Sequence, residues 1–173
     1  VLCPSRKGET GTAALNERLC ELLNPAEFGK AEIRTEKANL RVGDKVIQTR
    51  NNYDTVWTSD DGKQGTGVFN GDIGVLKYID RAAGVVSVKF GDKTAVYTGN
   101  ESDDLDKAFA VTVHKSQGSE YDCVIIPTVG IPPQLMFRNL LYTGVTRAKK
   151  LLVLVGTELS VTRMAENDRK TLR

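Results

Sequence analysis

Ala110-Val111-Thr112-Val113-His114-Lys115-Ser116-Gln117-Gly118-Ser119-Glu120-Tyr121-Asp122 runs without a break into Cys123-Val124-Ile125-Ile126-Pro127. The first stretch is mostly polar or glycine. The second is apolar with no alternation, which predicts a strand buried on both faces of a parallel sheet. Leu151–Val155 repeats that signature and predicts a second buried strand. Between them Met136, Phe137, Leu140, Leu141, Val145 and Ala148 recur with helical spacing. Glu158–Met164 reads as a terminal helix, and the polar Asn167–Arg173 as a frayed end.

The N-terminal end reads in the same way. Val1-Leu2-Cys3 is a short apolar start, and Pro4-Ser5-Arg6-Lys7-Gly8 is a polar turn. Leu15, Leu19, Leu22 and Leu23 then mark one face of a helix, with Thr10 or Thr12 as its cap and Asn24-Pro25 at its end. The middle of the chain differs. Lys45–Arg50, Val68–Phe69, Ile73–Ile79, Val85–Phe90 and Thr94–Tyr97 are short and β-rich. Asn70-Gly71, Ala83-Gly84 and Gly91-Asp92 punctuate them as turns. Such strands predict a small barrel, SH3-like or OB-like. Asp54 to Gly67, with Asp60-Asp61-Gly62-Lys63-Gln64-Gly65, reads as an exposed mobile loop. The expected fold class is α/β: residues 1–41 and 105–173 form a parallel-sheet layer, and 42–104 a β-barrel inserted into it.

Composition narrows the function. The chain has 173 residues, 40% hydrophobic and 27% charged, which excludes general disorder. No apolar run approaches the roughly 18–20 residues that cross a bilayer, so no membrane role is expected. Three scattered cysteines exclude a disulfide scaffold and a CxxC metal site, and fit a reducing cytoplasm. One histidine excludes a multi-histidine zinc site. The net charge of +2 does not announce a nucleic-acid binder. Its distribution is uneven: +1 over 1–41, −3 over 42–104 and +4 over 105–173. A phosphate-handling surface therefore belongs on the α/β part. The chain begins at Val1 and reads as a piece of a longer protein.

Two stretches carry chemistry. Ala110–Asp122, taken alone, reads either as a polar surface turn or as a ligand loop. Asn139–Lys150 is an apolar helix that runs into a basic cluster, and Lys149 and Lys150 read as compensation of the helix dipole. Together, and in this order, the two stretches resemble motifs V and VI of superfamily-one helicases, in the RecD-like branch that includes the helicase parts of conjugative relaxases. Pro4–Gly8 with Leu15-Asn16 and Asn24-Pro25 resembles motif IV. Arg41–Val46, Thr49–Tyr53 and Phe69–Gly74 resemble that branch's entry into an SH3-like insertion.

The resemblance implies a second RecA-like domain with an inserted SH3-like barrel. ATP and Mg2+ would serve the full-length enzyme, and none is expected bound to this piece. The phosphate loop would lie in a first RecA-like domain that is missing. In agreement, no GxxxxGK[ST] occurs: Gly29-Lys30 precedes alanine and Gly62-Lys63 precedes glutamine. By resemblance Arg147 is the motif VI arginine that offsets transition-state charge on the γ-phosphate, and Arg6 is the motif IV arginine with a similar task. Glu120 would approach the ribose, and Gly118 would let the backbone turn beside the nucleotide. Thr112, His114 and Lys115 would touch single-stranded DNA through phosphate and base. Tyr142, on the motif VI helix, would pack either under that arginine or in the core. The implied activity is ATP-driven translocation and unwinding, with single-stranded DNA, the first RecA-like domain and recombination or repair subunits as partners. Two other readings stand beside it: a non-catalytic module binding protein or single-stranded nucleic acid, and a relaxase helicase domain.

Overall fold

The computed structural model describes residues 1–168. In chain order the elements are β1 (Leu2–Cys3), α1 (Thr12–Leu23), β2 (Glu32–Arg34), β3 (Asn39–Arg41), β4 (Lys45–Gln48), β5 (Asn52–Ser59), β6 (Gln64–Val68), β7 (Ile73–Asp80), β8 (Val85–Phe90), β9 (Lys93–Thr98), β10 (Leu105–Lys107), β11 (Val111–Thr112), β12 (Tyr121–Pro127), α2 (Arg138–Val145), β13 (Ala148–Val155) and α3 (Glu158–Glu166). They fall into two compact units, residues 1–18 with 110–173, and residues 19–109. The expected insertion, 42–104, lies wholly inside the second.

The first unit is α/β. β1 pairs in parallel with β11, Leu2 opposite Val111 and Cys3 opposite Thr112. β12 pairs in parallel with β13, from Tyr121 opposite Ala148 to Pro127 opposite Val155. β1 also runs beside β12. α2 packs on β12 and β13, and glycine permits the approach. A Cβ at Gly144 would stand 2.8 Å from Ile126 Cδ1 and 3.5 Å from Val113 Cγ2. Leu2, Cys3, Val113, Val124, Ile126, Leu140 and Met164 are buried here. Asn16 enters the same interior, donating to the Ala110 carbonyl at 2.8 Å and accepting from its N–H at 2.7 Å. Its amide thus supplies both hydrogen bonds that a neighbouring strand would have given Ala110.

Several expectations are corrected in this unit. β12 is not buried on both faces: Val124 and Ile126 are buried, whereas Cys123 and Ile125 are exposed. Leu151, Val153 and Val155 are also exposed, on the face they share with Cys123 and Ile125. Only one side of this strand pair is covered by α2. α1 buries Thr12, Asn16 and Cys20, not the leucines, and Leu22 and Leu23 are 77% and 66% exposed. Thr10 does not cap α1: the helix starts two residues later at Thr12, and the Thr10 hydroxyl donates to the Val129 carbonyl at 2.8 Å. Lys149 and Lys150 do not compensate a helix end, because α2 stops at Val145 and both lysines lie in β13. Tyr142 faces outward, 68% exposed, instead of packing in the core. Asn167 is not frayed: its side chain donates to the Met136 carbonyl and its own carbonyl accepts from Arg138 N–H. The rest of that expectation, 169–173, lies outside the described residues.

The second unit is a seven-stranded antiparallel sheet in the order β10-β4-β7-β8-β9-β5-β6, with β2 and β3 forming a separate hairpin. Leu40, Val46, Leu76, Val86, Val88, Ala95, Tyr97 and Leu105 fill its core without exposure. Tyr97 donates to Gln48 Oε1 at 2.9 Å, which partners the phenol and the amide oxygen, while Gln48 Nε2 is buried without a partner. Burial pushes the Tyr97 phenol far up. Asp44 is also fully buried, and accepts from Cys20 Sγ, Asn24 Nδ2 and Arg41 N–H at 3.3, 2.7 and 2.9 Å. The segment Asp54–Gly67 is not a loop. It is a hairpin of β5 and β6, turned at Asp60–Lys63 where Gly62 has φ of +85°. Thr55 and Ser59 alternate inward with half-buried Trp57, while charged groups crowd the turn. That turn lends the whole stretch its loop-like composition.

Candidate active site

Each expected site residue lies in the first unit. Gly118 and Glu120 stand just before β12, and Arg147 just before β13. Because those strands are parallel neighbours, their leading ends lie together. Three links stitch the corner. Tyr121 N–H donates to the Arg147 carbonyl at 2.8 Å. Arg147 Nη1 donates to the Ser119 carbonyl at 3.3 Å. Lys149 Nζ lies 3.2 Å from Glu120 Oε2. Further along the same two strands, Lys150 pairs with Asp122 at 2.9 Å.

The half-buried Arg147 side chain also donates from Nε to the Thr143 carbonyl and from Nη2 to Thr146 Oγ1, both at 3.2 Å. Thr146 in turn donates to the Thr143 carbonyl at 3.1 Å. A planar fork held by three oxygens has few rotamers left, so its direction is largely fixed before any ligand arrives. Gly118 has φ of +85°, a conformation that L side chains rarely adopt. Burial pushes the Tyr121 phenol up.

Thr112 ends β11, and His114 and Lys115 begin a short 3-10 turn. Thr112 Oγ1 accepts from Lys115 N–H at 3.3 Å, so its own O–H can still donate. His114 is exposed. Arg6 is exposed in the loop between β1 and α1. That loop leans on Val129 and Gly130, beyond the trailing end of β12. Among the described residues no hydrogen bond or ion pair joins Arg6 to Arg147 or Glu120. The structure therefore bonds Arg147 to Ser119 and Tyr121, on either side of Glu120, and pairs Glu120 with Lys149; Gly118, Thr112, His114 and Lys115 lie earlier in the same segment, and Arg6 stands apart. Sequence reasoning missed Ser119, Thr143 and Thr146 as the holders of Arg147. It also missed Lys149 as the partner of Glu120. A signal for Lys149 was present: a strand assignment for Ala148–Val155 would have set it beside the start of β12.

Residues 107–155 match the family described as the UvrD-like helicase C-terminal domain. Residues 15–90 match the SH3 domain of ATP-dependent RecD-like DNA helicases. The ATP-dependent RecD2 DNA helicase of Deinococcus radiodurans is 34% identical over 157 residues, which are 91% of this chain and 20% of that protein. This chain belongs to the RecD-like helicase family. The RecBCD enzyme subunit RecD of Mycobacterium tuberculosis is 34% identical over 161 residues, 93% of this chain and 25% of that one. The chain thus spans about a fifth to a quarter of the length of these relatives. Among solved structures, Pif1 helicase from Candida albicans aligns with a TM-score of 0.55 at 15% identity, over 95% of this chain and 47% of that one. Bacteroides Pif1 bound to single-stranded DNA aligns at 0.51 and 16% identity, over 93% and 43%. The RecA-like layer with a small β insertion is therefore the fold of this RecD-like piece. No helix among the described residues is long and apolar enough to cross a membrane.

Proposed function

We propose that the whole protein is an ATP-dependent DNA helicase, that Arg147 contacts the γ-phosphate, and that Thr112, His114 and Lys115 contact single-stranded DNA. One observation carries this reading. A single short segment, 112–120, begins with the candidate strand contacts and ends at Glu120, beside the fixed fork of Arg147. A rigid segment of this kind can convert a change at the nucleotide into a change at the strand. The residues present fit the edge of a triphosphate site: two cationic side chains, a carboxylate able to accept from a ribose hydroxyl, and a left-handed glycine. Phosphate-loop donors and magnesium ligands would come from the first RecA-like domain. Arg6 would act from its own loop as the motif IV arginine. Residues 42–104 would be the SH3-like insertion between the two parts of the RecA-like domain, 1–41 and 105–173. Recombination or repair subunits would be further partners, and three free cysteines fit a reducing cytoplasm.

The test is the double variant Thr112→Ala, His114→Ala in the full-length protein. Two lost contacts at about 1 kcal/mol each should weaken single-strand affinity by roughly tenfold or more. DNA-stimulated ATP turnover at fixed strand concentration should fall with it. Wild-type affinity across a salt series would make this segment structural only.

A further inference from the structure

The outer face of the seven-stranded sheet carries three lysines around one valine. Val75 on β7 lies opposite Lys45 on β4 and opposite Lys89 on β8. Neighbouring strands are about 4.8 Å apart, so the two lysine backbones stand roughly 10 Å from each other with Val75 between them. Lys77 follows two residues along β7. The ladder shifts register between Leu76 and Tyr78, so Lys77 and Tyr78 together face Ser87. Both are exposed, between buried Leu76 and buried Ile79. This bulge re-aims Lys77 and adds a third cation to the face without removing the ring beside it. Lys45, Val75, Lys77 and Lys89, with Ile73, line an open groove of about 320 Å³.

Edge protection does not account for these lysines. Lysines that guard a sheet against pairing sit on edge strands, and β4, β7 and β8 are all interior. Like charges gathered on one face repel, and among the described residues no ion pair holds Lys45 or Lys77. Lys89 is paired: Asp60, from the β5–β6 turn, accepts from its ammonium with both oxygens, at 2.8 and 2.9 Å. That pair shows how a carboxylate meets this face.

The neighbouring row is neutral. Tyr78 lies opposite Ser87, and Ser87 opposite Val96. Tyr78 is 55% and Val96 42% exposed. A matching ligand therefore brings carboxylates and an apolar side chain within one short segment. A nucleic acid brings a dense run of phosphates, which the −3 of 42–104 repels as a whole. A short acidic peptide carries fewer charges and supplies the apolar group itself.

We propose that Lys45, Lys77 and Lys89, with Val75 and Tyr78, form a docking groove for an acidic peptide segment of a partner protein. Its carboxylates lie on the lysines, and an apolar side chain lies beside Tyr78. The groove belongs wholly to the unit of residues 19–109 and does not depend on the strand-binding reading above.

The probe is a short fluorescein-labelled peptide of glutamates around one central phenylalanine. The 173-residue chain is titrated into it, with anisotropy as the readout, at low salt and at about 0.15 M ionic strength. Saturable binding with a Kd below about 1 mM at low salt is the expected result. The same peptide with glutamine for glutamate should bind at least roughly tenfold more weakly. Lys45→Gln combined with Lys77→Gln should weaken binding by roughly 2- to 30-fold. Tyr78→Ser should weaken the phenylalanine peptide but not an all-glutamate one. Lys7→Gln removes an exposed lysine from the other unit and should leave affinity unchanged. Circular dichroism confirms that the variants are folded. No saturable binding, equal binding of the glutamine peptide, or an equal loss in Lys7→Gln would overturn the groove. So would an oligothymidylate that displaces the peptide and is itself weakened by the two lysine substitutions, because the face would then be a strand contact.

Discussion

Arg147 donates to three oxygens, and they differ in how easily they let go. The Thr143 and Ser119 carbonyls belong to backbone that α2 and β12 hold in place, whereas Thr146 offers a hydroxyl that can rotate. We expect Thr146→Val in the full-length protein to lower ATP turnover about 5- to 10-fold, the equivalent of one hydrogen bond near 1 kcal/mol. Thr146→Ser should restore it, and the KM for ATP should move little in either variant. Equal turnover in all three would make Thr146 a bystander. At this scale the sequence was readable where residue type dictates backbone shape, as with the turn at Gly118, which takes positive φ. It was not readable where the partner is a carbonyl. Ser119 and Thr143 act through backbone oxygens that any residue would supply. Lys149 was misread because a lysine just past an apolar helix satisfies the helix dipole equally well on paper.

At the scale of elements, β12 shows why an unbroken apolar run overstates burial. Cys123, Ile125, Leu151, Val153 and Val155 have the composition of a doubly covered strand pair, but in this chain only the face of Val124 and Ile126 is covered. Thiol chemistry tests this assignment. Cys3 is buried and its thiol is pushed up to about 11, and burial, then Asp44, raises the Cys20 thiol. Cys123 is exposed. Because the thiolate is the nucleophile, Ellman's reagent at about pH 8 should titrate Cys123 rapidly, and Cys3 and Cys20 only after denaturation. Rapid loss of two or three thiols from the folded chain would contradict the assignment. α1 misled in the opposite sense: Leu22 and Leu23 are exposed, Leu15 and Leu19 only half-buried, and its buried face is Thr12, Asn16 and Cys20. Helical spacing located the helix correctly but not its inner side, because Asn16 is buried as a hydrogen-bonding substitute for a strand. In the β5–β6 hairpin, Gly65 and Gly67 look like loop residues by type, yet they are strand residues that make room for rings.

For the whole molecule, the charge division follows the function proposed: the +4 of 105–173 accompanies the corner that would meet phosphate, while 42–104 carries −3. With no GxxxxGK[ST] segment in its sequence, this chain should turn over no ATP by itself and bind ATP more weakly than about 1 mM. Calorimetric titration and a coupled phosphate assay check both, and turnover that vanishes on Arg147→Ala would contradict the expectation. The most direct test of the account is Arg147→Lys in the full-length protein, with turnover, melting temperature and single-strand affinity measured on one preparation. Lysine keeps the charge after α2, a dipole effect under about 1 kcal/mol, but an ammonium on a flexible stem cannot donate to two phosphate oxygens as the guanidinium fork does. The account predicts unchanged strand affinity, and melting lowered by only a few degrees for the lost bonds to Ser119, Thr143 and Thr146, with turnover reduced by roughly 10³-fold or more. Turnover within a few-fold of wild type would remove Arg147 from the γ-phosphate and leave the corner of β12 and β13 as a feature of the fold alone.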